Sequence, residues 1–190
     1  MTPQLKDRDW RYRRSGLFGR DDNQLGGIPV AVALQQLDAN VGGHLLFYST
    51  ALNFKSQRGI IEECEADFVV FFNERTGLNR PSVQILIGEA KTSDQIDVED
   101  VRKLGSLANA IPPEMAQAYI IFAKTGLFTE GEVTLAKSLN SQIHQRVILW
   151  SRGELEPYLV YERSKDRLGG CAYASSLRDM VESTETLFFR

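Results

Sequence analysis

Ile61-Glu62-Glu63-Cys64-Glu65-Ala66-Asp67-Phe68-Val69-Val70-Phe71-Phe72 and Val83-Gln84-Ile85-Leu86-Ile87-Gly88-Glu89-Ala90-Lys91 are apolar runs that carry charge where a buried strand has no structural use for it. Successive side chains of a strand point to opposite faces. In the first run this sets Glu63, Glu65, Asp67, Val69 and Phe71 on one face and Cys64, Ala66, Phe68, Val70 and Phe72 on the other. In the second it groups Val83, Ile85, Ile87, Glu89 and Lys91, so the acid and the base of Glu-x-Lys share a face at the strand's end. The segment between them, Asn73-Glu74-Arg75-Thr76-Gly77-Leu78-Asn79-Arg80-Pro81, is turn-rich and reads as a hairpin connector. Pairing the strands brings Asp67 beside Glu89 and Lys91. Two carboxylates and an ammonium aimed into one place point to a metal site.

These two runs resemble the PD-(D/E)xK nuclease superfamily, whose signature is an acid on one strand and Glu-x-Lys on the next. Glu65-Ala66-Asp67-Phe68-Val69-Val70 looks like its Glu-x-Asp strand, and Gly88-Glu89-Ala90-Lys91-Thr92 looks like its Glu-x-Lys strand end. Downstream, Tyr119-Ile120-Ile121-Phe122-Ala123-Lys124 and Val147-Ile148-Leu149-Trp150-Ser151-Arg152-Gly153-Glu154-Leu155 are similar to the last two core strands of Mrr-like restriction endonucleases. The position before Asp67 is Ala66, where the superfamily often has Pro. The resemblance implies an α/β, restriction-endonuclease-like core: a mixed central sheet flanked by helices, in the order αβββαβαβ plus a C-terminal helix.

It also implies a metal-dependent deoxyribonuclease of restriction, defence or repair, with Asp67, Glu89 and Lys91 catalytic. Asp67, Glu89 and the main-chain carbonyl of Ala90 then hold Mg²⁺ or Mn²⁺ through hard oxygen ligands, and the metal activates a water. Lys91 orients that water or contacts the phosphate; two neighbouring carboxylates raise its pKa and work against a general-base role. Glu65 is the candidate for a second metal, against the alternative of an acid solvated at the strand's start. Gln35 and Gln36 fall where some relatives place a further polar site residue. The bland reading of Asp67, Glu89 and Lys91 is a buried salt bridge. Such pairs are weak sources of stability, so that reading leaves the site unexplained.

The remaining pattern fits this order. Residues 1 to 27 lack periodicity and form a lead-in or arm, residues 28 to 160 the core, and residues 161 to 190 a loop and docking helix. Ala31, Leu34 and Leu37 recur at helical spacing over residues 28 to 40, with Pro29 in the first turn. Residues 44 to 54 read as a strand. Val101, Leu104, Ala108 and Ile111 mark the next helix, which Pro112-Pro113 stops. Residues 118 to 123 form a strand. Thr129 with Glu132 reads as a capping box for a helix carrying Val133, Ala136, Leu139 and Ile143. Residues 146 to 150 are the last core strand. Leu177, Met180, Val181, Thr184, Leu187 and Phe188 make an amphipathic helix that docks on the core or, alternatively, forms a homodimer face. A doubly wound nucleotide-binding domain needs a Gly-rich loop after its first strand, and none is present.

With 190 residues, 43% of them apolar, the chain suits one well-buried domain. Cys64 and Cys171 have no paired spacing, His44 and His144 stand alone, and no Gly-x-Ser-x-Gly elbow occurs, so disulfide, zinc and serine chemistry lack support. No run is long and apolar enough for a membrane span or signal peptide, and the expected location is the cytoplasm. A net charge of −3 excludes a wholly basic nucleic-acid binder and asks for a local basic rim. Arg11, Arg13 and Arg14, interleaved with Trp10 and Tyr12, are one candidate contact to DNA; Lys103 and Lys124 are the others. The alternatives for the lead-in are a solvated terminus or the junction with a partner domain or subunit that supplies specificity. A second functional reading is a catalytically idle nucleic-acid-binding module of a larger assembly. Intact Asp67, Glu89 and Lys91 favour the enzyme.

Overall fold

The two charged runs do pair. In the computed structural model, which describes residues 21 to 41, 46 to 56, 59, 61 to 74 and 82 to 190, β2 (Cys64–Glu74) and β3 (Ser82–Lys91) form an antiparallel ladder from Glu74↔Ser82 to Phe68↔Gly88. β1 (Leu46–Phe54) pairs antiparallel with β2 on the outer side. β4 (Gln117–Lys124) and β5 (Val147–Trp150) continue the sheet in parallel, giving the order β1-β2-β3-β4-β5. The architecture is the expected α/β one, a mixed sheet with helices on both faces. β4, inside the sheet, and β5, at its edge, are covered on both faces and nearly all apolar, as covered parallel strands are.

Alternation sorts the core into two layers. On one face Phe68, Val70, Leu86, Tyr119, Ile121 and Trp150 pack against Val30, Ala33 and Leu37 of α1 (Asp21–Asn40) and against Leu177 and Met180 of the last helix. On the other face Val69, Ile87, Ile120, Phe122 and Leu149 meet α2 (Val98–Ala110) and α3 (Glu130–Gln142) through Leu104 and Leu139. Asp97 caps α2 by accepting from Asp100 N. The Thr129–Glu132 box caps α3 as its sequence predicts.

Several boundaries differ from the sequence reading. α1 begins at Asp21 rather than at residue 28, so Pro29 lies inside the helix. Residues 1 to 20, with Arg11, Arg13 and Arg14, lie outside the described residues, as does His44. β5 ends at Trp150 as expected, and the chain then turns into the short α4 (Arg152–Leu155), which the sequence reading did not name, because Ser151 and Glu154 form a second capping box. The Arg163-containing loop carries one 3₁₀ turn, Glu162–Ser164. α5 (Leu177–Phe188) and the end of α3 cover the β5 edge: Leu149 N–H donates to Thr184 Oγ1 of α5 at 3.1 Å, and Val147 N–H donates to Asn140 Oδ1 of α3 at 2.9 Å. An edge strand left open invites pairing with another chain. Leu177, Met180, Val181 and Thr184 of α5 are buried inside the chain, as the docking-helix reading expects.

Candidate functional site

The ladder breaks at Asp67. Its neighbours pair with β1 as Thr50↔Phe68 and Leu52↔Ala66, and Ala51, which falls between them, has φ 55°. On the β3 side the pairing has already ended at Phe68↔Gly88. The missing main-chain bond is replaced by a side chain: Ala90 N–H donates to Asp67 Oδ2 at 2.7 Å. One carboxylate oxygen is thereby fixed against Glu89-Ala90-Lys91. The break also upsets the expected faces, since Cys64 and Ala66 join the α2 and α3 layer while Phe68, Val70 and Phe72 stay with α1.

Glycine sets the approach from β3. A Cβ on Gly88 would lie 2.2 Å from Phe68 Cζ, so only the missing side chain lets the Phe68 ring lie across the strand just before Glu89. Lys91, the last residue of β3, turns its ammonium to Glu89 Oε1 at 2.6 Å and to Asp100 Oδ2 at 3.3 Å. Asp100 comes from the first turn of α2. The β3 end is tied to β4, with Thr125 N–H donating to Lys91 O at 3.2 Å and Thr125 Oγ1 to Thr92 O at 2.9 Å.

Glu65, Asp67, Glu89, Lys91, Asp100 and Lys103 line one cavity of about 370 Å³, closed by Cys64 and Leu104. Four acids face two bases, and the electrostatics follow. Burial, then the Asp67 carboxylate, pushes Glu89 up to about 7, with Lys91 opposing. Burial also raises Asp67, against the Ala90 N–H and Lys91. Burial works against the Lys91 charge, but Glu89 and Asp100 outweigh it and hold the ammonium well above the usual lysine range.

The donor set fits a hard cation. Among the described residues no three His, Cys, Asp or Glu side chains gather as a metal cluster, so a closed, all-protein cage is absent. Mg²⁺ does not use one: it keeps several waters and takes one or two carboxylates. Asp67 and Glu89, half-buried in a net acidic cavity, supply that number.

Of the other sequence candidates, Glu65 lines the cavity as an exposed acid and Lys103 lines its rim, 3.3 Å from Glu99. Lys124 is corrected: it is 4% exposed and its ammonium meets Glu132 at 2.9 Å, which removes it from any DNA-facing surface. Gln36 is structural, donating to Leu155 O and Pro157 O and accepting from Asn40. Gln35 lines a separate cavity of about 480 Å³ between α1 and α4. Asp100 escaped the sequence reading because acids in a helix's first turn are common for their effect on the helix dipole. No helix among the described residues is long and apolar enough to cross a membrane.

No family model and no curated protein matches this chain. A solved structure, the MspJI restriction endonuclease in complex with a 27-mer oligonucleotide, is similar with a TM-score of 0.39 and 16% identity, over 83% of this chain. The match takes in 30% of that longer chain.

Proposed function

We propose that the chain is a divalent-cation-dependent deoxyribonuclease whose cavity between β2, β3 and α2 cleaves phosphodiester bonds. The observation that carries this reading is the meeting of Asp67, Glu89 and Lys91 in one acidic cavity, where the motif of the nuclease superfamily requires them. Asp67 and Glu89, with the Ala90 carbonyl as that resemblance implies, hold Mg²⁺ or Mn²⁺. When bound, the cation lowers the pKa of a water and offsets charge on the scissile phosphate. Asp67 is held in place by the Ala90 N–H before any ligand arrives, which is the preorganisation a metal ligand needs. Lys91, kept charged by Glu89 and Asp100, is suited to orient a water or to contact a phosphate oxygen. It is not suited to take a proton.

The test is cleavage of supercoiled and linear DNA with Mg²⁺, Mn²⁺ or Ca²⁺. Mg²⁺ and Mn²⁺ support cutting, and Ca²⁺ occupies the site without it, because it activates water poorly. Asp67→Ala, Glu89→Ala and Lys91→Ala each abolish cutting. Cutting by Asp67→Ala at the wild-type rate rejects the assignment, and DNA binding by a wild type that never cuts supports the idle module instead.

A further inference from the structure

Lys91 has two carboxylates, and only one of them belongs to the recognised motif. Its Nζ lies 2.6 Å from Glu89 Oε1 and 3.3 Å from Asp100 Oδ2, with all three side chains half-buried. Glu89 is also a carboxylate on which a cation must be held. An ammonium and a divalent cation therefore compete for one group. With Glu89 as its only partner, at the shorter of the two distances, Lys91 would stay on it and oppose cation binding.

We propose that Asp100 is a positioning residue, the second counter-ion of Lys91, which retains the ammonium in the cavity when Glu89 turns to a divalent cation. This rests on the reading that Asp67 and Glu89 hold the cation. Asp100 is built for a fixed position: its N–H donates to the Asp97 cap at 2.8 Å, and Leu104, one turn on, is buried against the core. Helix-dipole stabilisation alone does not require Asp100 to reach across to β3, and Glu99 beside it already supplies an acid to the same turn. The bond from the helix to the strand is what a positioning role explains.

The experiment is a double-mutant cycle on Asp100 and Lys91, read by direct Mn²⁺ binding in electron paramagnetic resonance and, separately, by DNA cleavage. Asp100→Asn weakens Mn²⁺ binding about five-fold, the scale of one partly exposed ion pair, because Lys91 is left on Glu89. Asp100→Glu recovers part of the loss. Lys91→Met tightens Mn²⁺ binding by freeing Glu89, and in that background Asp100→Asn changes affinity by less than about two-fold, the size of a residual surface-charge effect. Thermal melts establish that each variant is folded. An equal loss with and without Lys91 would mean that Asp100 acts on the cation itself, and no loss in either background would mean that it does nothing; each overturns the proposal. Wild type that binds no Mn²⁺, or binds it as well after Asp67→Ala, overturns the cation reading as a whole. Mn²⁺ binding that depends on Asp67 with an additive Asp100–Lys91 cycle overturns the Asp100 assignment alone.

Discussion

Replacing Glu132 tests how the site's surroundings are held. Its carboxylate is almost fully buried and accepts from Lys124 Nζ at 2.9 and 3.1 Å, Ile96 N at 2.9 Å, Thr129 N at 2.7 Å and Thr129 Oγ1 at 2.9 Å. Burial opposes the charge, but these donors win and hold the carboxyl below the usual glutamate range. Glu132→Ala strands the Lys124 ammonium in a 4% exposed position and leaves the Ile96 and Thr129 amides without their acceptor. Removing one partner of a buried pair costs about 3–5 kcal/mol, roughly 10 °C in Tm for a domain of this size. Lys124→Met is milder, because Glu132 keeps three other donors; about half that loss is expected. The depressed pKa adds a sign. The Glu132 contribution is present above the unfolded value near 4.5 and disappears as pH falls through the lower folded value, so wild type and Glu132→Gln converge in acid. Denaturant unfolding from pH 3 to 8 measures both effects. Equal losses for Glu132→Ala and Lys124→Met, or a gap independent of pH, would refute the assignment of the hub to Glu132.

Two further outcomes follow from the geometry and a third from the sequence. Gly88→Ala drives a methyl into the Phe68 ring and lowers stability by about 3 kcal/mol, since overfilling a closed core displaces it; denaturant unfolding within about 0.5 kcal/mol of wild type would count against that packing. The two site acids differ in stability: Asp67→Ala lowers Tm by leaving the Ala90 N–H unpaired, whereas Glu89→Gln raises it. The Glu89 value near 7 exceeds the unfolded one, so its carboxylate subtracts stability as pH rises from about 4.5 through 7, and the Glu89→Gln gain is greatest above that range; a gain that shrinks with pH would be inconsistent. Deleting residues 1 to 20 flattens the dependence of DNA affinity on salt if the arginine-rich lead-in contacts phosphate, and an unchanged slope in a folded variant transfers that contact to the Lys103 rim.

The elements with a simple period were legible in the sequence, as were those with a complete local signal. Strict alternation placed β2 and β3, and Thr129 with Glu132 announced α3, because a capping box is a local bond pattern that tertiary packing has no reason to override. The Ser151–Glu154 box was equally present in the sequence, but the helix it starts is a single turn too short to carry a period. What escaped was partner choice. Lys124 has the spacing of a surface base at a strand's end, and nothing local says that Glu132, across a turn, takes its ammonium inside. Asp100 carries the same first-turn signature as Glu99, and only the third dimension separates the acid that reaches Lys91 from the one that pairs with Arg102 and Lys103.

The expected meeting of Asp67 with Glu89 and Lys91 arises by a different route from the one that periodicity suggests. A continuous ladder would carry Asp67 opposite Glu89 as an ordinary cross-strand pair of like charges, which is destabilising. Instead the ladder ends one residue earlier, Ala51 leaves the extended region beside it, and the Asp67 carboxylate takes the Ala90 N–H that a β2 carbonyl would otherwise have taken. The strand opens at the cavity, and the freed backbone group is satisfied by the same side chain that, in the proposed reading, would hold the cation. Gly88 and Phe68 close the ladder on one side of this opening, and Asp100 with Lys91 closes the other. The cavity is therefore an interruption of the sheet, and Asp67, Glu89 and Lys91 meet there only because Phe68, Gly88 and Asp100 fix where the interruption begins and ends.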